Sequence, residues 1–384
     1  MKKIITIALL LLVTLTSVEG KKKFGYRAWL AGKYDMPEEL LEKYFQKAAD
    51  CGIEAILLEC HGGYPDILQD STSFRDSAAL VTLRRAAVYA KKYNIELHAW
   101  MWTTNRCEKN LRDQHPDWYQ VNGEGHSVTE VKLYGREHYR FLCPSHQESV
   151  EYMKERVREL AEVDGLTGIH MDFIRYPDAI LPYGLHASRG VVQDKVYPFW
   201  DCCYCDECRA LFKARTGRDP LELEDPNADK EWLEFRWEQM AKFASAIAAE
   251  IKACGKESSA AVFASPEESR KLVRQDWTSF TDTDCMYPMI YHSSYAKTAQ
   301  WVETAAREGV KELKAKARKG YYGKGKKAPE LYAGVIGPYR NGGTADLIKF
   351  AQKSGADGIC FFCLESFERS NSWDDLKKAI AESK

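Results

Sequence analysis

Residues 168–177 read GIHMDFIRYP, an apolar run with one acid inside it. Ile169, Met171, Phe173 and Ile174 suit a strand buried on both faces, the kind found in a parallel sheet covered by helices. Asp172 sets a carboxylate among them, where desolvating an unpaired charge is costly. The run therefore predicts a parallel strand whose end carries a polar task.

The same pattern recurs along the chain. Apolar strands are expected at 24–30, 54–59, 96–102, 168–173, 259–264, 285–291, 331–336 and 358–364. Helical periodicity follows at 38–50, 77–92, 147–162, 230–253, 269–276, 296–318, 344–353 and 374–382. Eight strand–helix units predict an α/β chain folded as a (β/α)8 TIM barrel. An open doubly wound sheet is the competing fold, and it needs no pairing between the first and last strands. Long insertions, 103–145 and 175 to about 229, follow the third and fourth strands. Loops after barrel strands gather at the C-terminal mouth, where active sites lie. The basic run KAKARKGYYGKGKK, 314–327, reads as a solvated helix end and connection.

Aligned on these strands, polar side chains fall in one layer. Glu59 and His61 end the second strand; Trp102, Asn105 and Arg106 follow the third; Asp172, Arg175 and Tyr176 the fourth. Glu267 and Glu268 follow the fifth, Tyr291 and His292 the sixth, and Glu365 the eighth. Alternation along the fourth strand would turn His170 inward with Asp172, and Met171 and Phe173 toward the helices. With 10 Trp and 21 Tyr in the chain, aromatic platforms for sugar rings are available beside these acids. Glycosidic cleavage needs one carboxylic acid to protonate the leaving oxygen and a second carboxylate as nucleophile or base. Two other classes fit the residue types: a non-catalytic carbohydrate-binding barrel, and a metal-dependent hydrolase using His61 and His292 with an acid. No Gly-rich phosphate loop, G-x-S-x-G elbow or H-E-x-x-H motif occurs, which argues against kinase, esterase and zincin chemistry.

GIHMDFIRYP, FLCPSHQESVEYM, WLEFRWEQMAKFASAI and DCMYPMIYHS, in that setting, resemble the bacterial glycosyl hydrolase-like family 10. The resemblance spans most of the chain beyond residue 20. It implies a (β/α)8 glycosidase, with some members acting on cell-wall glycan, and carries over Asp172 with Arg175 and Tyr176 beside it. The second carboxylate is inferred from strand-end position, in the order Glu365, Glu267, Glu59. Substrate contacts are expected from Arg175, Tyr176, His61, Trp102, Asn105, Tyr291 and His292.

The second insertion contains DCCYCDECRALFKARTG, with Cys202, Cys203, Cys205 and Cys208. A C-x-C-x-x-C run opening a helix can hold Zn2+ through three thiolates and needs a fourth ligand. The arrangement is similar to the structural zinc site of family 42 β-galactosidases, where the fourth cysteine follows the third strand. Cys107 stands in that place, with Cys202 and Cys143 as alternatives to it. Disulfides with distant partners compete with metal in an exported chain. No organic cofactor is expected.

MKKIITIALLLLVTLTSVEG, residues 1–20, has two lysines, a short apolar run and a small-residue end. It reads as a secretory leader cleaved after Gly20, too short to be a membrane span. The remaining residues, 21–384, read as one catalytic domain, periplasmic or extracellular. The formal net charge is −1, and the leader holds Lys2, Lys3 and Glu19, a net of +1, leaving −2 on the remainder. Near-neutrality argues against nucleic acid as the main partner, and the expected partner is a polysaccharide or cell-wall glycan.

Overall fold

The structure is a computed structural model that describes residues 23–31, 36–61, 77–339 and 343–384; the His61 side chain and the expected leader lie outside the described residues. Eight parallel strands close into a barrel in chain order. They are β1 (Gly25–Leu30), β2 (Ala55–His61), β3 (Glu96–Trp102), β4 (Gly168–Asp172), β5 (Glu257–Phe263), β6 (Cys285–Met289), β7 (Glu330–Ile336) and β8 (Gly358–Phe362). β1 pairs with β2 on one side and with β8 on the other, Gly25 lying opposite Gly358. That closure rules out the open doubly wound sheet.

The helices are α1 (Glu38–Cys51), α2 (Ala78–Tyr93), α3 (Lys109–Gln114), α4 (Gln147–Ala161), α5 (His186–Arg189), α6 (Asp206–Thr216), α7 (Lys230–Ala253), α8 (Pro266–Val273), α9 (Trp301–Arg318), α10 (Gly343–Ser354), α11 (Leu364–Arg369) and α12 (Trp373–Glu382). α1 buries Leu41, Tyr44, Phe45, Ala48 and Cys51, the three- and four-residue spacing that forms one helix face. Caps fix several starts: Ser77 accepts from the Leu80 N–H, and Asp229 from the Trp232 N–H.

Three differences from the expected boundaries matter for the site. α8 begins at Pro266, not 269, because Ser265 caps it and proline suits the first helical turn. ASPEES is thus a helix start. β8 ends at Phe362, and Glu365 falls in the first turn of α11. α9 begins at Trp301, after a 3-10 turn over His292–Tyr295.

Two apolar cores result. One lies between the strands and the helices. The other fills the barrel and includes Trp29, Leu57, Trp100, Tyr287, Tyr332 and Cys360. Large inward side chains are matched by small ones across from them. A Cβ at Gly334 would come within 2.8 Å of the Trp29 ring, and one at Gly168 within 2.3 Å of His98. At the N-terminal end Arg27 pairs with Glu257 at 2.9 Å and Glu96 at 3.5 Å. Arg27 also donates to the Tyr287 hydroxyl at 2.5 Å, so one guanidinium ties three strands together at this end.

The two insertions sit together over the opposite end. Within the first, Asn105 bridges to Phe141 and Tyr119 to Leu142; Asn122 bridges to Cys202 of the second. The mouth of the barrel is thereby walled on one side.

Candidate active site

Strands β3 and β4 run in register, Trp100 opposite His170 and Trp102 opposite Asp172. His170 is fully buried inside the barrel. Its Nε2 accepts the Trp29 indole N–H at 3.1 Å, and its Nδ1 lies 2.9 Å from Ser259 Oγ. Burial pushes its pKa well down, so it is a neutral ring holding the barrel centre.

Asp172 stands one layer above. Its Oδ2 accepts the Trp100 indole N–H at 3.0 Å, and its Oδ1 accepts the Phe173 backbone N–H at 2.6 Å. Burial raises its pKa, while the Phe173 N–H, the Arg175 charge and the Trp100 bond pull it back. Phe173 has a φ of 48°, a left-handed conformation unusual for an aromatic residue. The chain leaves the strand there, and Phe173 turns into the mouth against Trp102, with ring centroids 4.3 Å apart. The expectation that Phe173 faces the helices is therefore corrected: strand alternation stops at Asp172.

Above this layer opens a cavity of about 340 Å³. Its acids are Glu59, Asp172 and Asp178; its aromatic wall includes Trp29, Trp100, Trp102, Phe173, Tyr291 and Phe362. Glu59 is buried, and its pKa is pushed up to about 8 by burial first, then by the charges of Asp172 and Glu365. Arg175 donates to Asp178 Oδ2 at 3.1 Å and to the Tyr176 carbonyl at 2.9 Å. Tyr139, from the first insertion, donates its hydroxyl to the same Asp178 oxygen at 3.1 Å. Tyr291 lines the cavity too, and burial with the Asp172 charge pushes its phenol well up.

Of the residues expected at the site, Asp172, Glu59, Arg175, Trp102 and Tyr291 share this cavity. The His61 side chain lies outside the described residues, and the remaining ones do not line the cavity. Glu365, the preferred second carboxylate, does not line the cavity; it is partly buried at the start of α11 beside Cys363, and burial raises its pKa. Glu267 is exposed on α8, its N–H bonded to Glu308 of α9 at 2.9 Å, because ASPEES is a helix start and not a strand end. Asn105 is buried as a loop brace, its Oδ1 accepting the Arg140 N–H. Tyr176 turns outward to the Arg236 carbonyl at 3.2 Å. His292 packs edge-on to Tyr339, and burial lowers its pKa.

Side-chain groups able to hold a metal number two among the described residues, and His292 belongs to neither. One is Glu96, His98 and Glu257, at the barrel end where both carboxylates are already paired with Arg27. The other is Cys143, Cys203, Cys205 and Cys208. Cys107 is not in it: that thiol is buried beside Glu108 and Arg106, and burial raises its pKa to about 12. A larger groove of about 650 Å³ runs along the outside of the barrel. There Arg270 is paired with Asp276 and Glu312, and the groove holds no unpaired acid–aromatic arrangement like that of the mouth.

Sequence reasoning missed Trp100, Trp29, Tyr139 and Asp178. Trp100 was legible from alternation with Trp102, and Asp178 from its place in RYPD just past the strand. Tyr139 depends on how the first insertion folds back, which no local pattern carries.

No protein-family model matches the sequence, and no curated protein matches it. Solved structures do match. The catalytic domain of β-amylase from Paenibacillus polymyxa aligns with a TM-score of 0.66 at 12% identity, over 94% of this chain and 99% of that one. The PgaB (BpsB) glycoside hydrolase domain from Bordetella bronchiseptica aligns with a TM-score of 0.60 at 13% identity, over 93% and 99%. A β-galactosidase from the psychrophilic Marinomonas ef1 gives 0.55 at 12%, over 88% of this chain and 54% of that one. At such identities the likeness is one of fold. The chain is a (β/α)8 barrel.

The mouth can support acid–base chemistry. It combines a carboxyl group that keeps its proton near neutrality, a second carboxyl group supported by two N–H donors and a nearby guanidinium, and aromatic faces for an apolar ring surface.

Proposed function

We propose that the protein is an exported glycoside hydrolase, of the bacterial glycosyl hydrolase-like family 10 type, that cleaves a polysaccharide or cell-wall glycan. The observation that carries this reading is the pairing of Glu59 and Asp172 in one aromatic-walled cavity, with Glu59 raised to about pH 8. In the proposed reaction Glu59 is the general acid that protonates the leaving oxygen. Asp172, supported by Trp100 and the Phe173 N–H, is the carboxylate that stabilises or attacks the anomeric carbon. Arg175 and Asp178 form a fixed polar edge for sugar hydroxyls, and Trp102 and Tyr291 supply stacking faces.

Several observations support a carbohydrate partner: the aromatic wall, the near-zero net charge, and the glycoside hydrolase architectures the fold matches. No helix among the described residues is long and apolar enough to cross a membrane. The proposed export rests on residues 1–20 and is checked by fractionating cells and sequencing the N-terminus of the recovered protein, which should start at Lys21.

The test of activity is a panel of glycans, including peptidoglycan stripped of its peptides, with Asp172→Asn and Glu59→Gln assayed beside the parent. Release of shorter chains by the parent, lost in both variants, is the expected result. Near-full activity in either variant removes that residue from the mechanism. Binding without cleavage across the panel transfers the protein to the carbohydrate-binding class.

A further inference from the structure

Four thiols from two separate insertions converge beside the barrel mouth. Cys143 ends the first insertion, while Cys203, Cys205 and Cys208 come from the second. All four are buried, and their sulfur atoms lie within 4.8 Å of one another. Cys143 Sγ is 3.6 Å from Cys205 Sγ and 3.4 Å from Cys208 Sγ. A disulfide joins one sulfur to one other at about 2.0 Å, whereas here one sulfur has two near neighbours at a longer separation. Four thiolates around Zn2+ at about 2.3 Å stand roughly 3.8 Å apart along each edge of a tetrahedron. The observed spacings lie close to that figure.

We propose that Cys143, Cys203, Cys205 and Cys208 bind one Zn2+ as a closed tetrathiolate that clamps the loop after β3 to the loop after β4. The surroundings suit sulfur ligands carrying charge. The Ser145 N–H points at Cys143 Sγ at 3.5 Å, and Ser145 Oγ lies 3.3 Å from Cys208 Sγ. Cys205 sits at the N-cap of α6, an 11-residue helix whose dipole favours negative charge at that end. With four protein ligands the site is structural and leaves no position for substrate.

The clamp has a consequence for the proposed active site. Cys143 is four residues from Tyr139, and Tyr139 holds Asp178 at the cavity edge. Asp178 and Arg175 lie on the segment that leads to the cysteine run. Fixing the two insertions to each other therefore fixes the Tyr139–Asp178–Arg175 edge without touching the barrel.

Metal analysis of the full-length protein, purified without chelator and under reducing conditions, tests the site. One equivalent of zinc per chain is expected, falling to near zero in Cys143→Ser and Cys205→Ser and unchanged in Cys107→Ser and Cys202→Ser. Should the first pair fail to fold, Co2+ exchanged into the parent protein gives an independent reading: thiolate-to-cobalt charge transfer with tetrahedral d–d bands supports the tetrathiolate. Zinc lost from Cys107→Ser but retained in Cys143→Ser overturns the ligand set. Failure to take up zinc or cobalt by the reduced parent protein, or mass spectrometry showing these cysteines joined as disulfides, overturns the site. None of these readings depends on glycan cleavage, so they stand apart from the proposed activity.

Discussion

Trp100 on β3 donates its indole N–H to Asp172 at the end of β4 across 3.0 Å. The bond favours the ionised carboxylate in a place where burial opposes it. Trp100→Phe keeps the ring and removes the donor. Asp172 should then hold its proton to higher pH, moving the acidic limb of the pH–rate profile upward and lowering kcat/KM by about tenfold, as expected for one lost hydrogen bond to a charged group of about 1.5 kcal/mol. Rate measurements across pH on a cleaved glycan check this.

Glu59 predicts a particular fall of stability with pH. The folded protein keeps the Glu59 proton to about pH 8, whereas an unfolded chain releases it near the ordinary value of 4.5. Deprotonation between these values favours the unfolded chain, so this contribution is complete below pH 4.5 and is lost as pH rises toward 8. Glu59→Gln removes the titration. Its Tm should fall less than the parent's between pH 5 and 9, by about 2–4 °C for each kcal/mol involved; thermal melts in a pH series read the difference. In activity, the parent should lose rate above about pH 8 as its acid deprotonates.

Arg175 and Asp178 form a buried ion pair at 3.1 Å. Asp178→Ala leaves the guanidinium short of its counter-charge and should cost about 3–5 kcal/mol, the usual penalty for breaking a buried pair on one side. Denaturant unfolding measures it. Tyr139→Phe, which removes only a hydroxyl donor to Asp178, should cost about 1 kcal/mol.

Gly334 makes room for Trp29. A Cβ there meets the Trp29 ring at 2.8 Å and the Pro288 carbonyl oxygen at 2.9 Å. Because one obstacle is backbone, Gly334→Ala should destabilise by about 1–3 kcal/mol, visible as a lower Tm.

Glu267→Gln provides the contrast. The side chain is exposed on α8, so stability should stay within about 0.5 kcal/mol of the parent and glycan cleavage should be unchanged in the same assay.

The sequence by itself determined the barrel and the place of Asp172. Eight apolar strands followed by amphipathic helices leave little choice of architecture, since parallel strands buried on both faces must be covered on both. GIHMDFIRYP then marks a polar group at a strand end, and alternation sets His170 below it. The partners of Asp172 and of the cysteine run were decided only by tertiary structure. In a linear reading Glu365 and Glu267 rank ahead of Glu59, because each follows an apolar strand. Where β5 and β8 end, however, depends on caps and turns that start α8 and α11: these carry Glu267 out to an exposed helix face and put Glu365 on the first turn of α11, outside the cavity lining although its charge still acts on Glu59. Glu59 remains within its strand and keeps an inward position. The fourth thiol was ambiguous for a similar reason. Cys107 and Cys143 stand at opposite ends of one insertion, and only its fold, with Tyr119 bridged to Leu142, brings Cys143 to the other three. Periodicity reports which face a side chain occupies. How a long loop folds back on itself is set by contacts between residues far apart in the chain, and no local pattern records them.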